Sequence, residues 1–322
     1  MADLTKEPPT HDAATSSTAV SNTPAVAIEH LDDTTALAEK PQSFGQQAWK
    51  RFVSHRLAIL GAVILVLLVL AFYIGPLLRP YEFDEINVLK RAQGPSREHW
   101  FGTDDIGRDL FVRAMRGGQF SIRISLITAL LAALLGGFFG AVSGYFSGIT
   151  DTAITFVINI LLSINAIAIL LILSIKFEMT SLVIAVLIAS LSWTRGARVV
   201  RALVLQFKER DFVLAAKAAG ATAPRIILRH LMPNILGALL VEATLLAGTA
   251  IILESTLSFL GLGVLPPETT LGTLIADAKG SIDTNPARVL IPGGIVTLIV
   301  LAINFLGDGL RDALDPTQEI EA

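Results

Sequence analysis

Six apolar blocks divide this chain, each about as long as the roughly 20 residues that a helix needs to cross the hydrocarbon core of a bilayer. They run over Leu57–Leu78, Ile122–Tyr145, Thr152–Ile175, Ser181–Val200, Ile235–Leu257 and Val289–Leu306. A chain so divided is expected to fold as an all-α polytopic membrane protein with six transmembrane helices. Its composition lies outside soluble usage in the same direction, with 52% hydrophobic residues, 16% charged residues and a mean hydropathy of +0.63. The absence of cysteine removes disulfides, thiolate metal sites and thiol catalysis together. No basic domain of the kind that binds nucleic acid is present.

Four segments follow from the pattern. Residues 1–45 are rich in Thr, Ser, Ala, Pro and acids without an apolar period, and are predicted to form a disordered cytoplasmic segment. No apolar core follows a basic start there, so it does not read as a signal peptide. Residues 46–118 hold the first span and an extracytoplasmic loop, 119–312 a core of five spans with a cytoplasmic loop at 201–234, and 313–322 a cytoplasmic tail. Orientation comes from Lys50, Arg51, His55 and Arg56 before the first span. Arg195, Arg198, Arg201, Lys208, Arg210, Lys217, Arg225 and Arg229 around the fourth-to-fifth loop give the same sign. Both regions are placed in the cytoplasm, with four spans between them and both termini inside. Between Arg79 and Gly118 seven basic residues face seven acidic ones, so the outer loop carries more Lys and Arg than this rule favours.

The loop from Phe212 to Asn234, FVLAAKAAGATAPRIILRHLMPN, reads as a helical hairpin between two apolar blocks. Ala215, Ala216, Ala218 and Ala219 favour helix and present a small surface that another backbone can approach. Gly220 is suited to the left-handed position that closes a helix. Thr222 is placed to cap the next helix, with Pro224 in its first turn, where a missing N–H costs nothing. Pro233 is expected to separate this helix from the fifth span. Lys217, Arg225, Arg229 and His230 complete a basic docking surface.

Gly136, Gly140, Gly144 and Gly148 recur every four residues, a spacing that lets a neighbouring helix approach closely in lipid. Such a stripe drifts by about 40° per step, so its partner is expected to be tilted. Glu242 and Glu254 fall in or beside the fifth span, about 120° apart around the helix, where carboxylates are costly unless they face a wet cavity or a partner. Glu254, with Ser258, is a candidate translocation gate, and a hydrogen-bonded brace at a helix break is the competing reading. Asn159 and Asn165 in the third span carry the same ambiguity. His99, Asp104, Asp105 and Asp109 lack the spacing of a calcium loop and are read as side chains that tighten turns. Asp308, Arg311, Asp312 and Asp315 read as ion pairs at a helix end. An intramembrane aspartyl protease built on the Gly307-Asp308-Gly309 step would need two carboxyls sharing a proton, and no second Asp sits deep in another span. The chain has no phosphate-binding G-x-x-x-x-G-K-[ST] loop.

The hairpin resembles the cytoplasmic EAA loop of permease subunits of binding-protein-dependent ATP-binding-cassette (ABC) importers. Ala215, Ala216, Gly220 and Pro233 match its pattern, and Leu214 stands where the family carries Glu. With HWFGTDDIGRDLFVRAMRGGQFSIRISL from His99, ESTLSFLGLGVLPP from Glu254 and NFLGDGLRDALDP from Asn304, the chain is similar over about residues 43 to 316 to C-type permeases of dipeptide, oligopeptide and nickel importers. The resemblance implies a six-helix type I importer permease in the cell's inner membrane, working by alternating access. It implies partnership with a B-type permease, two cytosolic ATPases and an extracytoplasmic solute-binding protein. ATP and Mg2+ would then sit on the ATPases, with no cofactor on this chain, and a peptide would be the substrate. Nickel or another small solute on the same machinery, and a stand-alone secondary carrier, are the alternatives.

Overall fold

The computed structural model describes residues 44–314. The expected disordered segment and most of the tail, Asp315 included, lie outside the described residues. Helix α1 (Phe44–Ser54) leads into α2 (Arg56–Ile74), the first span. A loop then runs to α3 (Leu110–Phe146), followed by α4 (Gly148–Ser163), α5 (Ala166–Ser174) and α6 (Ser181–Phe207). Next come α7 (Asp211–Ala218), α8 (Ala223–Ile226), α9 (Met232–Phe259), α10 (Leu271–Ala278) and α11 (Ala287–Leu314). Among the described residues there is no strand, only an isolated bridge between Thr103 and Asp109.

Among the described residues five helices are long and apolar enough to cross a membrane, and the α4–α5 pair, bent by 80°, makes a sixth crossing if counted as one. The continuous third span expected at Thr152–Ile175 is therefore corrected to a broken one. The break has a local cause. Ser163 Oγ donates back to Asn159 O, and the Asn165 side chain accepts the Ile167 and Ala168 N–H groups at 3.0 and 3.3 Å, starting a new helix as its N-cap.

Three other boundaries shift. The second span begins at Leu110, three turns before Ile122, because Asp109 caps it by accepting the Val112 N–H at 2.9 Å. The fourth runs past Val200 to Phe207, so Arg201 lies on the same helix as Arg195 and Arg198 and not in the loop. Pro233 does not separate the hairpin from the fifth span. Ile227–Leu231 form a π-helical turn in which Met232 N–H bonds to Ile227 O, and this wide turn carries the helix through the proline.

Glycines set the closest helix pairs. A Cβ on Gly136, Gly140 or Gly144 would come within 3.0 Å of α6 at Trp193, Ala197 or Val204, so the stripe seats α3 on α6. Gly148 does not belong to that contact. It starts α4 at φ +59 with open space around it, because the chain turns at Ser147 before the stripe can continue. Gly61 and Gly309 serve α2 and α11 in the same way. Most of the remaining α2 surface, including Val63, Val66, Leu67 and Leu70, is exposed and apolar, as a lipid-facing helix requires.

The bundle has two dissimilar ends. At one, α10 and the loop before α3 join Phe72, Phe111, Met115, Leu271 and Leu274 in a buried cluster. At the other, Val200, Val204, Val213, Ile226, Leu231 and Ile235 pack under the α7–α8 hairpin. His55 before α2 pairs with Asp312 near the end of α11 at 3.2 Å. This pairing adds a contact between helices to the local ion pairs expected there, of which Arg311 with Asp315 lies outside the described residues, and Leu314 beside Gly237 sets the end of α11 on the hairpin side.

Candidate functional site

The hairpin closes through a defined turn. Ala221 N–H donates to Ala216 O at 3.0 Å and Gly220 N–H to Lys217 O at 2.9 Å, with Gly220 at φ +78. This is the paired-bond ending in which a left-handed residue satisfies the last carbonyls of a helix. A Cβ at Gly220 would touch nothing within 4 Å, so the backbone angle alone demands glycine. Thr222 holds the N-cap position of α8 and Pro224 its first turn, but the expected hydroxyl cap is not made; only the Thr222 carbonyl is used, by Ile226 N–H.

Val213, Ile226 and Leu231 pin the hairpin inward, each at most 1% exposed. Lys217 Nζ lies 5.7 Å from the Tyr145 ring centre and ties α7 to the end of α3. Ala215, Lys217, Ala219, Gly220, Arg225, Arg229 and Pro233 are exposed, while Ala216 and His230 are half-buried. Phe212, Leu214 and Leu228 add apolar surface, at 41%, 48% and 69% exposure. Small, basic and apolar groups thus share one outward face on a rigidly anchored element.

Glu254 is 0% exposed and Ser258 2%. Ser258 Oγ donates to Glu254 Oε1 at 2.7 Å and Thr270 Oγ1 donates to the same oxygen at 2.6 Å. Thr270 is also the N-cap of α10, in a reciprocal capping box with Thr273, and Leu271 N–H donates to Ser121 Oγ of α3. Gly272 lets α10 lie against α9 at Ser255, where a Cβ would approach to 2.6 Å. The carboxylate therefore clasps α10 to α9 inside the subunit. Neither Glu254 nor Ser258 lines the cavities bordered by Glu242 and by Asp104, and their hydrogen bonds fit the brace reading.

Glu242, twelve residues earlier on α9, has a different environment. It borders a cavity of about 670 Å3 between α4, α5, α6 and α9, together with Arg195, Arg198, Trp193, Leu246 and Thr249. Arg198 Nη2 donates to Asn159 Oδ1 at 2.9 Å. Arg195 and Glu242 have no hydrogen-bond or ion-pair partner among the described residues. Arg201, one turn on from Arg198, is held by Asp151 through two bonds of 2.6 and 2.7 Å.

At the opposite end the charged side chains pair largely with one another, around a cavity of about 240 Å3 bordered by Asp104, Arg113, Asp277 and Arg288. Asp104 takes Arg108 Nε at 2.7 Å and Arg113 Nη1 at 2.8 Å, and its second oxygen accepts the Ile106 and Arg108 N–H groups. Burial alone would push this carboxyl up, but the Arg108 backbone and side-chain N–H groups and the Arg113 charge hold it below its ordinary value. His99 Nδ1 meets Asp109 Oδ2 at 2.8 Å, and Arg288 bonds Asp105 at 2.8 Å. The His and Asp side chains in this stretch serve turns, caps and arginine pairs.

The family model for the inner membrane component of binding-protein-dependent transport systems matches residues 133–319, more than half the chain. The chain belongs to that family. A second model, the N-terminal transmembrane domain of oligopeptide transport permease C, matches residues 43–95 of this permease. It is 36% identical over 290 residues to the oligopeptide transport system permease protein OppC of Bacillus subtilis, covering 90% of this chain and 95% of the relative. Over 277 residues it is 40% identical to OppC of Escherichia coli, with 85% and 92% covered. It is 38% identical over 275 residues to the dipeptide transport system permease protein DppC of Alkalihalophilus pseudofirmus, with 84% and 89% covered.

Sequence reasoning used Arg195 and Arg198 of the permease only as orientation markers. Their spacing of three puts both on one face of the span expected at Ser181–Val200, but hydropathy gives no sign of the cavity they border. The Arg201–Asp151 and Arg113–Asp104 pairs were not legible, since each joins residues on different elements.

Proposed function

We propose that this permease forms half of the translocation path of an ATP-driven peptide importer. It pairs with a second, B-type permease in the inner membrane, and an extracytoplasmic binding protein delivers the solute to the pair. Two cytosolic ATPases bind ATP and Mg2+, and the α7–α8 hairpin docks in them, so that their closure is transmitted to α6 and α9. The hairpin end and both chain termini are then cytoplasmic. Chief support comes from the hairpin, whose outward face is small, basic and apolar while its inner face is locked by Val213, Ile226 and Leu231. An element anchored in this way moves the bundle when it is pushed. The names of the relatives support peptides as the solute. Glu254 acts here as a brace for α10, not as a gate.

Purification from native membranes tests the reading. The permease should bring down an ATPase, and removal of the ATPase should abolish peptide uptake in proteoliposomes. Peptide uptake by the permease alone, without ATP, would establish a secondary carrier instead.

A further inference from the structure

We infer that the cavity bordered by Arg195, Arg198 and Glu242 is a station that reads the two charged ends of a peptide: Arg195, seconded by Arg198, takes the carboxylate and Glu242 takes the ammonium. The inference rests on the importer reading above and goes further, by naming what the path recognises.

The charges share one level of the bundle. Arg195 lies twelve residues before the end of α6, about 18 Å along the helix, and Glu242 ten residues after the start of α9, about 15 Å along it. Gly196 faces Leu239, one turn from Glu242, at 3.9 Å from where its Cβ would be. At this depth an ionised side chain is costly unless it faces a partner or a wet cavity. The structure pairs the arginines that brace helices, Arg201 with Asp151 and Arg198 with Asn159, yet gives Arg195 and Glu242 no partner. Two opposite charges border the same cavity without meeting each other, a pattern complementary to a zwitterion.

Arginine suits the carboxylate end, because its planar fork offers two parallel N–H donors to the two oxygens. The cavity's other walls are mostly apolar, with Leu161, Trp193 and Leu246 beside the small Ala132 and Ala133. Its volume falls in the range of small-molecule sites. Beyond the hydroxyls of Ser192, Thr194 and Thr249 these walls offer few directional polar groups, so peptide side chains are read weakly and the termini supply most of the recognition.

The test uses the whole complex, with binding protein and ATPases, in proteoliposomes. Uptake of labelled trialanine is compared with that of its C-terminal amide and its N-acetyl form, for the native chain and for Arg195→Gln, Arg195→Lys and Glu242→Gln. Losing a charge-assisted bond should lower trialanine uptake by Arg195→Gln by about tenfold. The same variant should carry the amide as well as the native chain does, and Arg195→Lys should recover part of the loss. Glu242→Gln should show the mirror pattern, with the N-acetyl form spared. An equal loss for all three peptides, or loss of the assembled complex, would show that the charges pair with the second permease and would overturn the site. Unchanged uptake by both Gln variants would overturn it as well. Failure of the native complex to carry trialanine at all would instead overturn the peptide-importer reading, and the site with it.

Discussion

The two ends of this bundle use similar side chains to opposite effect. At the loop end, Asp104, Asp105, Asp109, His99, Arg113 and Arg288 pair with one another, so its charges are largely met within the chain. At the hairpin end, Arg225, Arg229 and Lys217 stay exposed beside Leu214 and Leu228, while only the apolar inner face is satisfied. The contrast distinguishes an element that completes its own fold from one left incomplete for another molecule. A buried polar group is costly without a partner, and at the loop end most are paired within the chain, His99 Nε2 and the Nε atoms of Arg79 and Arg288 excepted, whereas the hairpin end leaves its charged face for another molecule.

The sharpest way to break the comparison is to ask which end faces which solution. A Cys at Ser96 should react with an impermeant thiol reagent in intact cells, and one at Thr222 should not; both positions are exposed and the chain has no native Cys. Labelling at Thr222 but not at Ser96 would reverse the assignment of the ends.

Next in size is Asp104→Ala. It leaves the buried Arg113 with only Asp277 and Thr269, both at 3.5 Å, and should cost about 3 kcal/mol in thermal unfolding of the purified protein. The same residue gives a pH signature. Because its folded pKa is depressed, its contribution is fully present above the unfolded value of about 4 and is lost as pH falls through the lower folded value. Stability should therefore be level from pH 7 to 5 as far as Asp104 is concerned, then fall below about pH 4. Asp104→Ala should flatten that fall, and an unaltered fall would remove Asp104 from the account.

Glu254 separates brace from gate. Glu254→Leu strands the Thr270 and Ser258 hydroxyls and should cost about 2 kcal/mol, seen as less assembled complex. Glu254→Gln keeps an acceptor for both and should assemble and transport normally. A Gln variant that assembles yet uncouples ATP hydrolysis from uptake would restore the gate.

The smallest effect on stability belongs to the hairpin. Gly220→Val meets no clash, but forces a β-branched residue to φ +78, a strain of about 1–2 kcal/mol borne by the turn alone. Membrane insertion and unfolding temperature should hardly change while uptake falls by about tenfold. Full uptake at normal permease levels would mean that the shape of the hairpin end does not matter for coupling.

Much of this was legible because it is written locally. Apolar blocks of bilayer length mark spans wherever they occur, and the Ala-rich run before Gly220 specifies a helix and its stop through propensity and a single backbone angle. The Gly136–Gly144 spacing announced a close helix contact without naming α6 as the partner. What the tertiary structure decided is which polar groups end up satisfied. Glu242 and Glu254 look alike in sequence, two carboxylates on one apolar helix. Only packing closes Thr270 and α10 over Glu254, and leaves Glu242 beside a cavity with Arg195. The broken third span, Pro233 carried within a continuing helix and the paired Arg113 follow the same logic. Each depends on a neighbour distant in sequence or on a hydrogen bond that hydropathy does not register, and the cost of burying a polar group is fixed only when its partner is in place.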